Sequence, residues 1–340
     1  MAALGAELVT LADVAKSKNK QIGKVAEVLV QHNAMLNDIG YMEMNEGTVH
    51  KEDIRSALPE VYYRKANQPI PASKSTIEER SFTASHFESK SQIDRAVAER
   101  GGMDRVAYNR WNQAQGHLQA HANELASLMI YGSPATANRK TAGFFDIFST
   151  LATTEPTHNQ IIDAGGVGSD NTSILKVHWG ERSVFGIYPK GTTSGITRED
   201  HSKGGKLVKI EGIDENSNAG SFWGYEENFM TDHGLVVKDY RQAARVANID
   251  VSELVAGTGA DLIDLMISAN YKIDDLNNGM GVWYVNRTIE AALHKQALTK
   301  VGAGAGLSFE NFEGKQILTF LGDPVRRMDA ILNSEAAVTV

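Results

Sequence analysis

Cysteine is absent from all 340 residues. That single absence excludes a disulfide framework, a thiol nucleophile and a thiolate zinc site. It suits a reducing compartment and equally a particle that must persist outside a cell. Long apolar runs are also missing, and no stretch approaches the roughly 20 residues a membrane-spanning helix needs. Met1–Thr10 has no basic segment followed by an apolar core, so no signal peptide is expected there. Basic charge is in deficit: 34 Lys and Arg stand against 42 Asp and Glu, a net charge of −8. A protein that grips nucleic acid through phosphates needs a basic face. The only local excess, KSKNKQIGK (Lys16–Lys24), reads as a solvated turn between two helices. Specific nucleic-acid recognition is therefore not expected.

What is present is an ordinary globular composition, 42% hydrophobic and 22% charged, with length for a large core. Two short amphipathic segments come first, Glu7–Ala15 and Ile22–Gln31. The second sets Ile22, Val25, Ala26, Leu29 and Val30 on one face. Both are too short to fold alone and are expected to dock on something else. The next region, Val49–Ile93, has strand-like ends at VYYR and SFTASHF around a polar centre holding Pro69 and Pro71. A hairpin so poor in core-forming side chains cannot hold itself together and needs a partner surface.

Asp104–Tyr131 predicts one long helix of roughly 40 Å. Its expected apolar stripe is Ala107, Trp111, Ala114, Leu118, His121 or Ala122, Leu125 and Met129, with Gly132 as a C′ stop and Pro134 beyond. Thr172–Gly180 alternates, with Leu175, Val177 and Trp179 on one side, and SVFGIYP (Ser183–Pro189) is expected to return after a Gly-Glu-Arg turn. Further strand material lies in KLVKIEGI, SFWGY and HGLVVKDYRQAARVANI. A helix over TGADLIDLMISANYKI is expected to be capped by Thr258, with Asp261 completing a capping box. The strand VWYVN, the helix RTIEAALHKQALTK and the closing QILTFLGDPVRRMDAIL follow. No internal repeat is present, and the class is α+β.

The chemical motifs fail one by one. DAGGVGSDNTS (Asp163–Ser173) packs three glycines and two aspartates into a few residues. Asn171 stands where a dinucleotide fingerprint needs its last glycine, and a strand follows where a helix should. Its start also breaks the alternation of a calcium loop. The stretch is read as a turn that launches the Thr172 strand. His117, His121 and Glu124 share one helix face at metal-ligand spacing, but the Glu a metalloprotease places directly after its first His is missing. Ser17-Lys18-Asn19-Lys20 matches a bare Ser-x-x-Lys without companion motifs. Catalytic, cofactor and metal residues are accordingly expected to be none. The alternatives left standing are an enzyme or metal-binding protein using 163–173 or His117/His121, and a tail or portal component.

The stretches DAGGVGSDNTSILKVHWGERSVFGIYPKG, HGLVVKDYRQAARVANIDVS, ADLIDLMI, VWYVNRT and GDPVRRMDAILNSE resemble major capsid proteins of short-tailed double-stranded DNA phages. So do ALPEVYYRKANQPIPASKST and LASLMIYGSPATANRKTAGF, and the resemblance runs over nearly the whole chain. It implies the HK97-type capsid fold: an N-terminal arm, an extended hairpin called the E-loop, a spine helix, a P-domain and an A-domain. In the common version the A-domain segments precede the last P-domain strands, whereas here VWYVNRT and GDPVRR come last. A permuted order is therefore expected, with the arm at 1–47, the E-loop at 48–98, the P-domain at 99–250 including the spine helix 104–131, and the A-domain at 251–340.

The resemblance further implies a non-enzymatic subunit of hexamers and pentamers in an icosahedral shell that touches packaged DNA non-specifically. It would be assembled in the host cytoplasm with scaffold and portal proteins, possible decoration proteins and no membrane. The expected contacts between copies are Val25, Leu29 and Val30 of the arm, and Tyr62, Tyr63, Arg64, Lys65, Pro69, Ile70, Lys74, Glu78, Glu79 and Arg80 of the hairpin.

Overall fold

The computed structural model describes residues 33–47, 49–100, 102, 104–137, 139–213, 219–276, 278–300, 307–312 and 315–339. Its helices are α1 (Met35–Asp38), α2 (Arg95–Ala98), α3 (Asp104–Tyr131), α4 (Phe144–Ile147), α5 (Val251–Ala256), α6 (Leu262–Asn270) and α7 (Arg287–Lys300). Strands β1 (Tyr41–Glu43), β2 (Val49–Ala57), β3 (Thr76–Thr83), β4 (Ser85–Asp94), β5 (Ile161–Asp163), β6 (Asn171–Trp179), β7 (Val184–Tyr188) and β8 (Gly195–Asp200) come first. They are followed by β9 (Val208–Ile213), β10 (Ala219–Val237), β11 (Ala243–Asp250), β12 (Met280–Val285), β13 (Leu307–Phe312), β14 (Lys315–Phe320) and β15 (Asp323–Arg327). Among the described residues no helix is long and apolar enough to cross a membrane.

The chain forms two compact units. The first takes His86–Leu125 and Ser194–Asp232; the second takes His32–Ser85, Ala126–Thr193 and His233–Val340. A serial division at 98 and 250 does not coincide with these units, because each is assembled from stretches distant in sequence.

In the first unit, β10 pairs antiparallel with β8 from Glu227↔Asp200 to Asp232↔Gly195, and with β9 from Ala219↔Ile213 to Gly224↔Val208. A small core of Ile93, Ala98 and Tyr225 packs with Val97, Val106 and Leu207. Helix α3 has the bounds the sequence predicts, and its buried face differs only in the first turns. From Ala114 on, the predicted stripe is turned inward, with Ala114, His121, Leu125 and Met129 buried, but its first members Ala107 and Trp111 (47%) are exposed, and Asn109 is buried in their place. In the first turns the inward position is taken by a polar side chain, Asn109, which a stripe of apolar residues alone does not show.

The second unit is organised around β6. It pairs antiparallel with β12 (Lys176↔Trp283, Leu175↔Tyr284) and with β11 (Val177↔Ala243, Ile174↔Val246). All nine of its residues are buried, Lys176 and His178 included. A strand with neighbours on both edges and cover on both faces has no solvent side, which corrects the alternation expected around Leu175. Strand β7 does not return along β6. It meets it only at Trp179↔Val184 and pairs along its length with β1 and with the end of β10. Helices α6 and α7 pack Leu262, Met266 and Ile289 into a core with Ile174, Val246 and Trp283.

Two caps differ from expectation. Asp261, not Thr258, caps α6 by accepting from the Asp264 N–H at 3.5 Å, while the Thr258 hydroxyl donates to the Glu253 carbonyl at 3.4 Å. Gly132 does not adopt a left-handed C′ conformation. A Cβ there would lie 2.4 Å from the carbonyl oxygens of both Leu128 and Thr141. Close backbone approach, not turn geometry, demands the glycine. Gly132→Ala is expected to destabilise the chain by about 1–3 kcal/mol, as overpacking does, read as a lowered urea midpoint.

Candidate assembly surfaces

The hairpin strands are β2 and β3, in register from Val49↔Thr83 to Ala57↔Thr76. VYYR is not a strand; it lies in the connecting loop, because the pairing ends at Ala57. The base is anchored within the second unit, where Phe82 and Ala84 pack on Phe185, Ile187 and Val236. Lys238 donates to Glu52 at 2.5 Å and His50 contacts the same carboxylate at 3.1 Å. Burial works against the Glu52 carboxylate, but Lys238 and His50 outweigh it and hold its pKa below the usual range.

Beyond the base, every residue from Arg55 to Lys74 is exposed. The loop has local order of its own. The Ser73 hydroxyl donates to the Glu60 carbonyl at 2.8 Å, and Tyr62 donates to the Glu60 carboxylate. A tight turn joins Lys65 to Gln68, with Asn67 left-handed at φ 65° and Arg64 reaching the Gln68 carbonyl at 3.4 Å. Leu58, Val61 (90% exposed), Tyr62, Tyr63 and Ile70 present apolar surface that no described residue of their own subunit covers. Lys74 and the β3 residues Glu78, Glu79 and Arg80 are exposed beside them. The hairpin candidates are thus gathered on one projection. Leu58 and Val61 belong with them and were missed; they stand in the same polar stretch and were masked by its composition. The arm candidates Val25, Leu29 and Val30, like the Lys16–Lys24 cluster, lie outside the described residues.

The other candidate sites are engaged locally. The Ser89 hydroxyl lies 2.8 Å from both His117 Nδ1 and His121 Nε2, and His121 Nδ1 lies 2.8 Å from the Thr231 hydroxyl. His117 stacks on Phe229 with ring centroids 5.1 Å apart. Burial pushes the pKa of both histidines down. Glu124 is on the exposed side of the helix, so the expected spacing does not bring three ligands together. Among the described residues no group of three or more His, Asp or Glu is placed to hold a metal ion.

The 163–173 loop is a turn. Asp163 accepts from the Gly165 N–H at 2.9 Å and from Asn248 Nδ2 at 2.8 Å. Gly165 takes φ 90°, and at Gly166 a Cβ would lie 2.6 Å from the Asn248 carbonyl oxygen. The residues that looked like ligands are consumed in holding the start of β6.

The chain matches the profile of the major capsid protein GP7 family over residues 17–339. Among solved structures it is similar to a chain in the near-atomic structure of bacteriophage Epsilon15. The two are 34% identical, each chain is covered over 100% of its length, and the TM-score is 0.76. A chain of the bacteriophage JBD30 capsid aligns over 98% of this chain and 99% of its own, at 10% identity and a TM-score of 0.45. No curated protein matches. A family match over nearly the whole chain and a full-length structural match agree with the uncovered hairpin: the chain belongs to the GP7 major capsid protein family and is an α+β, HK97-type structural subunit of a phage virion shell, built from copies of itself.

Proposed function

We propose that the chain closes, as hexamers and pentamers, into an icosahedral head around packaged double-stranded DNA and performs no catalysis. The observation that carries this reading is the hairpin, whose tip exposes Leu58, Val61, Tyr63 and Ile70. A lone two-stranded hairpin with uncovered apolar side chains gains stability only by lying on a partner. In this reading the hairpin is the E-loop, laid over an adjacent subunit, with the arm residues Val25, Leu29 and Val30 making further contacts. The unit holding most of α3 is the P-domain and the sheet around β6 is the A-domain. Segments 126–193 and 233–250 thereby move from the P-domain to the A-domain, because β6 and β11 share one sheet with β12. Net charge of −8 fits a wall that touches DNA without holding it tightly. Scaffold, portal and decoration proteins, and assembly in the bacterial cytoplasm, complete the proposal.

Deletion of Gln68–Lys74 tests it. The deletion lies wholly in the exposed loop and leaves the β2–β3 register, which ends at Ala57↔Thr76, untouched. The expected result is a folded subunit that forms no closed shells by electron microscopy. Intact shells of unchanged stability overturn the role given to the hairpin. Rings or tubes from the unaltered chain overturn the shell itself.

A further inference from the structure

Four polar side chains in the first unit form an unbroken chain from α3 through β4 to β10. The Ser89 hydroxyl on β4 lies 2.8 Å from His117 Nδ1 and 2.8 Å from His121 Nε2. On its other side, the His121 ring meets the Thr231 hydroxyl through Nδ1 at 2.8 Å. Phenylalanines hold the two rings in place: His117 stacks on Phe229 of β10, and His121 lies 5.2 Å from Phe87 of β4. His121 is 3% exposed. The Ser89 hydroxyl has a single proton to give, so one ring donates to it while the other accepts from it. With both rings neutral the chain can run in either direction, and every contact in it is satisfied.

We propose that His117, Ser89, His121 and Thr231 form a proton-binding latch. The cluster accepts one proton without losing a contact, refuses a second, and so lets α3 come off β4 in acid. One added proton is absorbed by a turn of the Ser89 hydroxyl. With His121 as the imidazolium, its Nδ1–H donates to Thr231 and its Nε2–H to Ser89, while Ser89 donates to Nδ1 of His117. A second proton has no such outlet, because both rings then aim an N–H and a positive charge at one oxygen. Both nitrogens lie 2.8 Å from that oxygen, hence within about 6 Å of each other, and like charges at that range set the two uptake steps about two pH units apart.

The carboxylates around the rings are engaged elsewhere or screened by solvent. Glu227 of β10 favours the charged form of His117, but its two oxygens are held by Arg110 at 2.5 Å and Arg198 at 2.8 Å. Asp200 of β8 holds the same Arg110 at 2.6 Å. Glu124, three residues along α3 from His121, is exposed. Strands β4 and β10 are neighbours, and side chains alternate along each, so Glu88, Lys90 and Asp232 lie on the face away from Ser89 and Thr231. There Glu88 and Asp232 flank His86, each at 2.7 Å, and raise its pKa. Burial lowers the pKa of both inner rings, and His117 adds to this at His121. The inner contacts are therefore complete above about pH 6.5, where an unfolded histidine titrates, and are lost as pH falls. The His86 contacts have the opposite sign, complete below that pH and lost as pH rises through the raised value. Mild acid thus loosens one face of the β4–β10 pair and keeps the other closed. The latch is independent of the shell reading, because it lies within one unit of one subunit.

Deuterium exchange at imidazole Cε1, read peptide by peptide, follows each histidine of the purified full chain through its own titration. His117 and His121 are expected to take up one proton between them first, with the second step about two pH units lower. Removing whichever ring is protonated first, as His117→Gln or His121→Gln, should raise the midpoint of the other by about the same two pH units. Amide exchange on the unaltered chain, corrected for the intrinsic rate at each pH, reads the latch. As the second proton enters, the segment 117–125 is expected to lose protection by about tenfold or more, while 85–94 keeps its own. Two protons taken up together by the folded chain overturn the proposal. So does a partner ring whose midpoint stays put in both variants, or a loss of protection in α3 and β4 at the same pH.

Discussion

Arg245→Met is expected to cost about 3–5 kcal/mol, the penalty for breaking a buried ion pair and stranding one partner. Arg245 and Glu335 are both 5% exposed in their side chains and meet at 2.9 Å. The guanidinium also donates to the Phe148 carbonyl at 2.8 Å and to Ser173 Oγ at 3.1 Å, and lies 3.8 Å above the Phe145 ring. On the other side, Glu335 accepts from the Tyr131 hydroxyl at 2.7 Å and from Ser173 at 2.5 Å. The pair therefore ties β11, β6, the end of α3 and the segment just before the C-terminus into one network. Removing the cation leaves a carboxylate in the core with hydroxyl donors only. Glu335→Leu is expected to be damaging for the complementary reason. The double variant Arg245→Met/Glu335→Leu should recover much of the loss, because apolar replacements of similar volume strand no charge. Urea midpoints of the four proteins check this. Additive losses in the double variant would show that the two side chains do not act as a pair.

Acid is expected to weaken the second unit through His233. Its ring is 1% exposed, stands edge-on to Tyr41 at 5.6 Å, and neither nitrogen has a hydrogen-bond partner among the described residues. Burial pushes its pKa down to about 4. In the unfolded chain the ring takes a proton near pH 6.5. Between these two values the unfolded state binds more protons than the folded one, so stability falls as pH falls. The full contribution is present above about pH 6.5 and is lost on the way down to about pH 4, amounting to about 3 kcal/mol. His233→Phe removes the titrating group and should flatten the unfolding midpoint between pH 7 and 4. An unchanged slope in that variant would place the acid sensitivity elsewhere.

Local features of the fold were legible because they depend on neighbouring residues. The bounds of α3 follow from a long stretch without proline from Asp104, interrupted only by Gly116, that ends before Gly132 and Pro134. The turn at 163–173 could be recognised because each ligand-binding template needs a particular residue that this stretch lacks. The hairpin was legible as a segment without a core, although its strands were misplaced. VYYR has strand-forming side chains, but a strand exists only where a partner does, and β3 stops pairing at Ala57. The same reason explains β7. Its residues favour extended backbone, yet its partners are β1 and the distant end of β10, not the strand that precedes it.

The sequence by itself determined the class, the family resemblance, the long helix and the absence of thiol chemistry, all of which rest on composition and short-range pattern. Only the tertiary structure decided how the chain divides, which strands are neighbours and which polar side chains are buried. The hydrogen-bonded Lys176, Asn270 and Asp323 lie far apart in sequence, as do Arg245 and Glu335, and nothing in the spacing of such residues reveals that they meet. Their meeting depends on register between β6, β11, β12 and β15. That register is set by side chains filling one shared core, which is a property of the packed chain and not of any stretch of it.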